Sequence, residues 1–386
     1  MSRPLRGMTW SHPRGLDPAL ALAVAASRPG SLAVTGPGID WDHQPLSGFE
    51  SRPIDELADD YDLVVIDHPG LGDAIAAGAL VPLEGLMPVG DLEEMQGRFI
   101  GRSLESYMYG GCTWALPIDA ACQVLAVRAD TAMPAPGTWA EVLELVDHFC
   151  VALPTAHPHS LLTFLGICAA IDPGFSDEGL ARIPKNVSRQ ALELFAAIAA
   201  AMPHRLLLKD PIELLEDMTR ESQEGERTDL IPLTFGYITY ASVHRPRAVV
   251  FRDAPRWTIE GLPGSVLGGT GLAVTRRGAR SLAPLPYLKQ AVDVWAQASV
   301  VAAAGGHAST RAAWLDPQTG RDWRDFYAST RLSQEHAWMR PRCPGWIRFQ
   351  TDSSRLIYTG LSSDVPPEDI ATDLSELAAR LLGTQA

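Results

Sequence analysis

Trp114–Val146 reads WALPIDAACQVLAVRADTAMPAPGTWAEVLELV, and it joins two elements of different kind. Its first half is a long β-rich run of small and branched apolar residues, broken near its start by Pro117. Its second half opens a helix at Thr138, with Glu141 three positions on, the spacing of a capping box. A strand leading through a Pro-rich joint into a capped helix continues an alternation that runs outward on both sides. Upstream, LRGMTW (5–10) is a short strand and SHPRG (11–15) a turn. DPALALAVAAS (17–27) is a helix capped by Asp17 with Pro18 at its first position. SLAVTG (31–36) is a second strand, RPIDELADD (52–60) a helix, YDLVVIDHPG (61–70) a buried strand, and LGDAIAAGAL (71–80) a short helix. Downstream, residues 160 to 224 are mostly helical. TDLIPLTFGYITYA, AVVFRDAP and GSVLGGTGLAVT return to strand, PYLKQAVDVWAQAS is helical, and a helix-and-loop tail closes on DLSELAARLLG. Strands alternating with helices place the chain in the α/β class, with parallel sheets and crossovers.

The chain has 386 residues, 46% hydrophobic and 20% charged, which is too large for one core and implies two domains. A net charge of -14 leaves nothing to offset phosphate repulsion, so nucleic acid is not the expected partner. Cys112, Cys122, Cys150, Cys168 and Cys343 are scattered, with no CxxC pair, which is neither a disulfide framework nor a zinc spacing. MSRPLRGMTWSHPRG lacks the apolar run of roughly 7–15 residues of a signal peptide. No window approaches the roughly 18 apolar residues of a membrane helix. The expectation is therefore a cytoplasmic chain without membrane insertion, or a periplasmic or extracellular one if a leader has been removed. No GxSxG, GxxxxGK[ST], HExxH or helix-opening GxGxxG occurs, so neither a metal nor an organic cofactor is expected.

The order of these segments resembles the extracellular solute-binding proteins of family 1, the maltose-binding-protein-like subunits of ABC importers. YDLVVIDHPGLGDAIAAGALVPLEGL looks like the family's strand-then-helix segment. WALPIDAACQVLAVRADTAMPAPGTWAEVLELV looks like its strand into the second lobe, and GSVLGGTGLAVTRRG like the strand that returns; GGHASTRAAW resembles the loop that follows. The resemblance implies a type II two-lobe α/β fold, each lobe a mostly parallel sheet flanked by helices, with a ligand cleft between lobes. It implies lobe one at 1–117 plus 265–308 and lobe two at 120–262 plus 309–386, with crossings near 116–119 and 262–268.

Sheets of this kind bind ligands beyond the carboxyl ends of their strands. That rule selects Trp10, His12 and Arg14 after the first strand, and Asp67 and His68 after LVVI. It selects Asp119 at the crossing, with Cys122 beyond it, and Tyr237 and Tyr240 after LTFG. The amides of Gly268 and Gly269 and the loop residue Trp41, with His43 near it, complete the set. Blander roles stand beside each. His12 could cap the next helix, Arg14 pair with Asp17, Asp67 hold its own turn, Asp119 hold the lobes together and Cys122 fill space. One tyrosine of the pair would face away, since strand residues three apart point oppositely. His157 and His159 flank a proline in what reads as an exposed loop.

Two functions follow. The first is capture of a small polar ligand, a carbohydrate or small organic acid, by hinge closure of a monomer, with an ABC permease as partner if the chain is exported. The second is a cytoplasmic isomerase or lyase on the same scaffold, with His12, His68, Asp67, Asp119 and Cys122 as acid/base candidates.

Overall fold

Leu5, Met8, Thr9 and Trp10 bury their side chains around Gly7, and this makes LRGMTW a central strand, β1 (Leu5–Trp10). The computed structural model describes residues 3–28, 37–174, 183–221 and 227–383 and divides into two units of three segments each. The first comprises Met1–Ala121, Gly268–Arg321 and Arg342–Pro344; the second comprises Cys122–Leu267, Asp322–Pro341 and Gly345–Ala386. No described helix is long and apolar enough to cross a membrane.

In the first unit, β1 lies between β2 (Ile39–Gln44) and β3 (Leu63–Ile66), parallel to both, with Met8 opposite Asp42 and Val64. A short two-residue hairpin follows, β4 (Met108–Tyr109) with β5 (Cys112–Thr113). The next strand, β6 (Ala115–Arg128), carries the chain out of this unit after Ala121. In the second unit β6 continues from Cys122 and pairs antiparallel with β7 (Leu230–Phe235) and β8 (Val249–Arg252). The chain returns in β9 (Leu267–Val274), which lies antiparallel beside β3. Two of the three ladders around β1 and β3 are thus parallel. Among the described residues of the second unit, parallel pairing is confined to single bridges such as Val151 with Leu230.

The first core gathers Met8, Val64, Ile66, Leu71, Ala74, Tyr107 and Ala273. Each large aliphatic side chain so buried contributes roughly 1.5–3 kcal/mol. In the second unit SLLTFLGICAAI is apolar on every face, so the helix His159–Ile171 is enclosed. It packs against Lys185–Ala201 and Trp346–Ser362. The capping box is present: the Thr138 hydroxyl accepts from the Glu141 amide at 3.3 Å, and the Glu141 carboxylate accepts from the Thr138 amide at 3.1 Å. Thr138→Ala is therefore expected to lower the second unit's stability by about 1 kcal/mol in unit-resolved hydrogen exchange, and Thr138→Ser by only a few tenths.

Several expectations need correction. The first helix, α1 (Pro13–Ala26), starts five residues earlier than the Asp17 cap implies, and His12 is its cap. RPIDELADD forms only a single turn, Ile54–Glu56, rather than a helix. SLAVTG lies outside the described residues. Trp41 is not in a loop but inside β2, an edge strand whose polar alternation, IDWDHQ, hides its extended backbone. Tyr237 and Tyr240 are not in a strand, because β7 stops at Phe235 and Ile238–Ala241 is a tight helical turn. His159 is not exposed but buried in the first turn of its helix; burial, with the positive charge of Arg340, lowers its pKa to about 3.

Candidate functional site: the strand ends of the first unit

Parallel strands β1 and β3 end side by side, at Ser11–His12 and at Asp67–His68. The turn after β1 is held by its own residues. His12 takes the cap position of α1, and its Nδ1 accepts the Arg14 amide proton at 3.1 Å. The imidazole stacks on the Trp10 indole, with ring centres 5.5 Å apart and planes 15° from parallel. Gly15 permits this, since a Cβ there would overlap the indole.

Arg14 turns inward. Its Nε donates to Asp119 Oδ2 at 3.0 Å and its Nη2 to Asp119 Oδ1 at 2.5 Å, a fork-to-fork pair joining α1 to β6. The two side chains are 5% and 9% exposed, so this carboxylate and guanidinium are committed to each other rather than to Asp17 or to solvent. The His307 amide also approaches Asp119 Oδ2, at 3.4 Å. A cavity of about 20 Å³ lies against the pair, lined by Thr9, Trp10, Val65 and Thr270 among others. That is room for about one water molecule, and no sugar fits it.

The turn after β3 is built differently. His68 is fully buried with its Nδ1 3.2 Å from Asp67 Oδ1, while the Asp67 side chain remains 28% exposed. The Tyr107 ring meets the His68 ring edge-on, so the packing purpose that a strand-end histidine does not suggest in sequence is supplied from 39 positions away. The Tyr107 hydroxyl stands 3.3 Å from both the Ile66 and the Gly269 carbonyl oxygens and donates to one at a time. Gly269 in turn lies against the Asp119–Ala121 backbone with φ of +100°. The turns at His12, Asp67 and Asp119 are thereby linked through Arg14, Gly269 and Tyr107.

The other sequence candidates stand apart from this set. Trp41 donates its indole N–H to the Tyr287 hydroxyl at 3.2 Å. Cys122, Tyr237 and Tyr240 belong to the second unit and are buried there. Burial, and after it the hydrogen bond that its hydroxyl donates to Glu216, raises the Tyr240 pKa. Three residues that matter here, Tyr107, Gln297 and His307, carry no motif. Gln297 bridges the Ala291 carbonyl and the Ser309 amide, and only its polarity inside VWAQASVV could have marked it.

As acid/base machinery the set is poorly placed. His68 is sealed, Asp119 is paired and Cys122 is enclosed. Burial, assisted by the Arg14 charge, lowers the His12 pKa to about 4, so at neutral pH the ring is uncharged. What the turns offer instead is fixed hydrogen-bonding geometry, with the Asp67 carboxylate partly exposed and the Arg14–Asp119 pair buried. Among the described residues no group of three or more His, Cys, Asp and Glu could hold a metal ion.

No protein-family model matches the chain, and no curated protein matches its sequence. Solved structures do match along its whole length. UgpB from Mycobacterium tuberculosis, in complex with glycerophosphocholine, superposes with a TM-score of 0.76 at 14% identity, covering 100% of both chains. An ABC transporter solute-binding protein from Thermotoga lettingae TMO bound with alpha-D-tagatose gives 0.75 at 14%, covering 99% of this chain and 100% of that one.

The chain has the solute-binding-protein fold.

Maltose-bound MalE3 from Thermotoga maritima gives 0.72 at 14%, covering 98% and 99%. In the solute-binding fold described here β1, α1, β3 and the crossing β6 follow the order read in the sequence, while β2 falls where the sequence reads as a loop. Identities this low carry the fold and leave the ligand to the residues at the strand ends.

Proposed function

We propose that this chain is a solute-binding protein that captures a small hydroxyl-rich ligand, a sugar or polyol. His12 and Asp67 would make directional contacts at the strand ends of the first unit. The observation that carries the reading is that the His12 and Asp67 turns stand side by side at the carboxyl ends of the paired strands β1 and β3, with Arg14 of the first turn fixed by Asp119. Support comes from the whole-length likeness to proteins solved with maltose, tagatose and glycerophosphocholine, each of which presents hydroxyl groups. A partly exposed carboxylate accepting from ligand hydroxyls makes charge-assisted bonds, each about 1.5–3 kcal/mol. The two units are the two lobes of this reading, and a membrane permease is the partner that would receive the solute from a monomer.

Calorimetric titration of the full chain with maltose, tagatose, ribitol, D-mannitol and glycerol derivatives tests it. One of these is expected to bind at micromolar concentration, with Asp67→Asn weakening it about 10- to 100-fold, the loss of one such bond. Absence of heat with every compound at millimolar concentration would overturn the proposal.

A further inference from the structure

The cap of α1 has a chemical requirement of its own. For the Arg14 amide to donate to His12 Nδ1, that nitrogen must carry a lone pair, which leaves the ring's single proton on Nε2. A second proton, placed on Nδ1, turns the acceptor into a donor that faces a donor. The cap bond breaks, and a cation appears beside the Arg14 guanidinium. The charged and titratable groups around the imidazole repeat this bias. Arg14 faces it from α1, and His307 approaches from the loop after the turn Gln297–Val301. Asp119 on β6 is already occupied by Arg14. His307 is itself held neutral by burial and then by Arg14, so its protonation would strain the same pair.

We propose that His12 acts as a proton-sensitive latch on the first turn of α1, closed while its imidazole is neutral and released when that ring becomes charged. The sign follows from linkage. An ordinary histidine takes its proton near pH 6.5, whereas burial and Arg14 hold His12 near 4. Its contribution to the folded state is complete above about pH 6.5 and is lost as pH falls from there through 4. The first unit is then loosened at β1 and α1, while helices distant in sequence such as Pro367–Leu382 keep their order. If the ligand reading above is right, affinity falls over the same range; the latch itself needs no ligand and is tested without one.

The test is amide hydrogen exchange of the ligand-free full chain between pH 7 and pH 4, corrected for intrinsic exchange chemistry. Residues 5–26 of the natural chain are expected to lose at least tenfold protection below pH 5.5, with Pro367–Leu382 unchanged. His12→Asn retains a strong cap that does not titrate and is expected to hold protection within about twofold. An acid loss in His12→Asn with the same midpoint as the natural chain would assign the effect to carboxylates and overturn the latch. Should that variant not fold, ¹⁵N-histidine spectra of the natural chain decide. A His12 ring titrating near 4 from the Nε2–H tautomer supports the latch, and one titrating near 6.5 overturns it.

Discussion

Arg14→Leu is expected to destabilise the first unit by about 3–5 kcal/mol, because it strands the buried Asp119 carboxylate without its guanidinium partner, leaving the His307 amide at 3.4 Å to meet it. A buried pair contributes little net stability when both charges are removed together, since each ion gave up its hydration to enter. Breaking it from one side is what costs. Asp119→Leu should therefore do comparable damage, and the double change Arg14→Leu with Asp119→Leu should fall well short of the sum. Unit-resolved hydrogen exchange over β1 and α1 is the suitable readout, because a single unfolding midpoint is poorly defined for a chain of two units. A double variant as unstable as the sum of its parts would show that the pair acts through shape rather than charge.

Gly269→Ala is the second large expected effect, above about 3 kcal/mol and severe enough to reduce soluble yield. Two costs combine. The backbone there has φ of +100°, a strained conformation for any residue with a Cβ, worth roughly 1–3 kcal/mol. The new methyl would also press into the Asp119 carbonyl and stand 3.0 Å from the Ala121 amide nitrogen, groups that cannot rotate away. Gly78 separates the two terms. It also has positive φ, +63°, but a Cβ there meets nothing within 4 Å. Gly78→Ala is accordingly expected to cost only about 1–2 kcal/mol, the conformational part alone. Equal losses at 78 and 269 would remove the steric half of the argument.

These two variants also mark what the sequence could and could not reveal. Periodicity and cap chemistry suffice for β1, β3, the Thr138 helix and the enclosed helix at His159, because the signals sit within a dozen residues of one another. The strand-end rule likewise leads to His12, Asp67 and Asp119. It does not say that Arg14 reaches Asp119 across 105 positions, nor that Tyr107 covers His68, since contacts between distant segments leave no spacing to read. Charged residues at strand ends look solvent-facing in sequence. Here two of them are the buried brace, and the exposed group is Asp67. β2 is missed for the opposite reason: paired among the described residues with β1 at the edge of the sheet, it has polar residues along much of its length.

The first unit is split by Cys122–Leu267, and that has a consequence for how the protein is made. β1 and β3 emerge from the ribosome early, but β9, their antiparallel neighbour, follows only after those 146 residues have been translated. At roughly 5–20 residues per second the wait is on the order of 10 to 30 s. For that interval the edge of β3 is unpaired and apolar, so the nascent chain is a natural client for chaperones. Translation speed through the middle of the message becomes a determinant of yield.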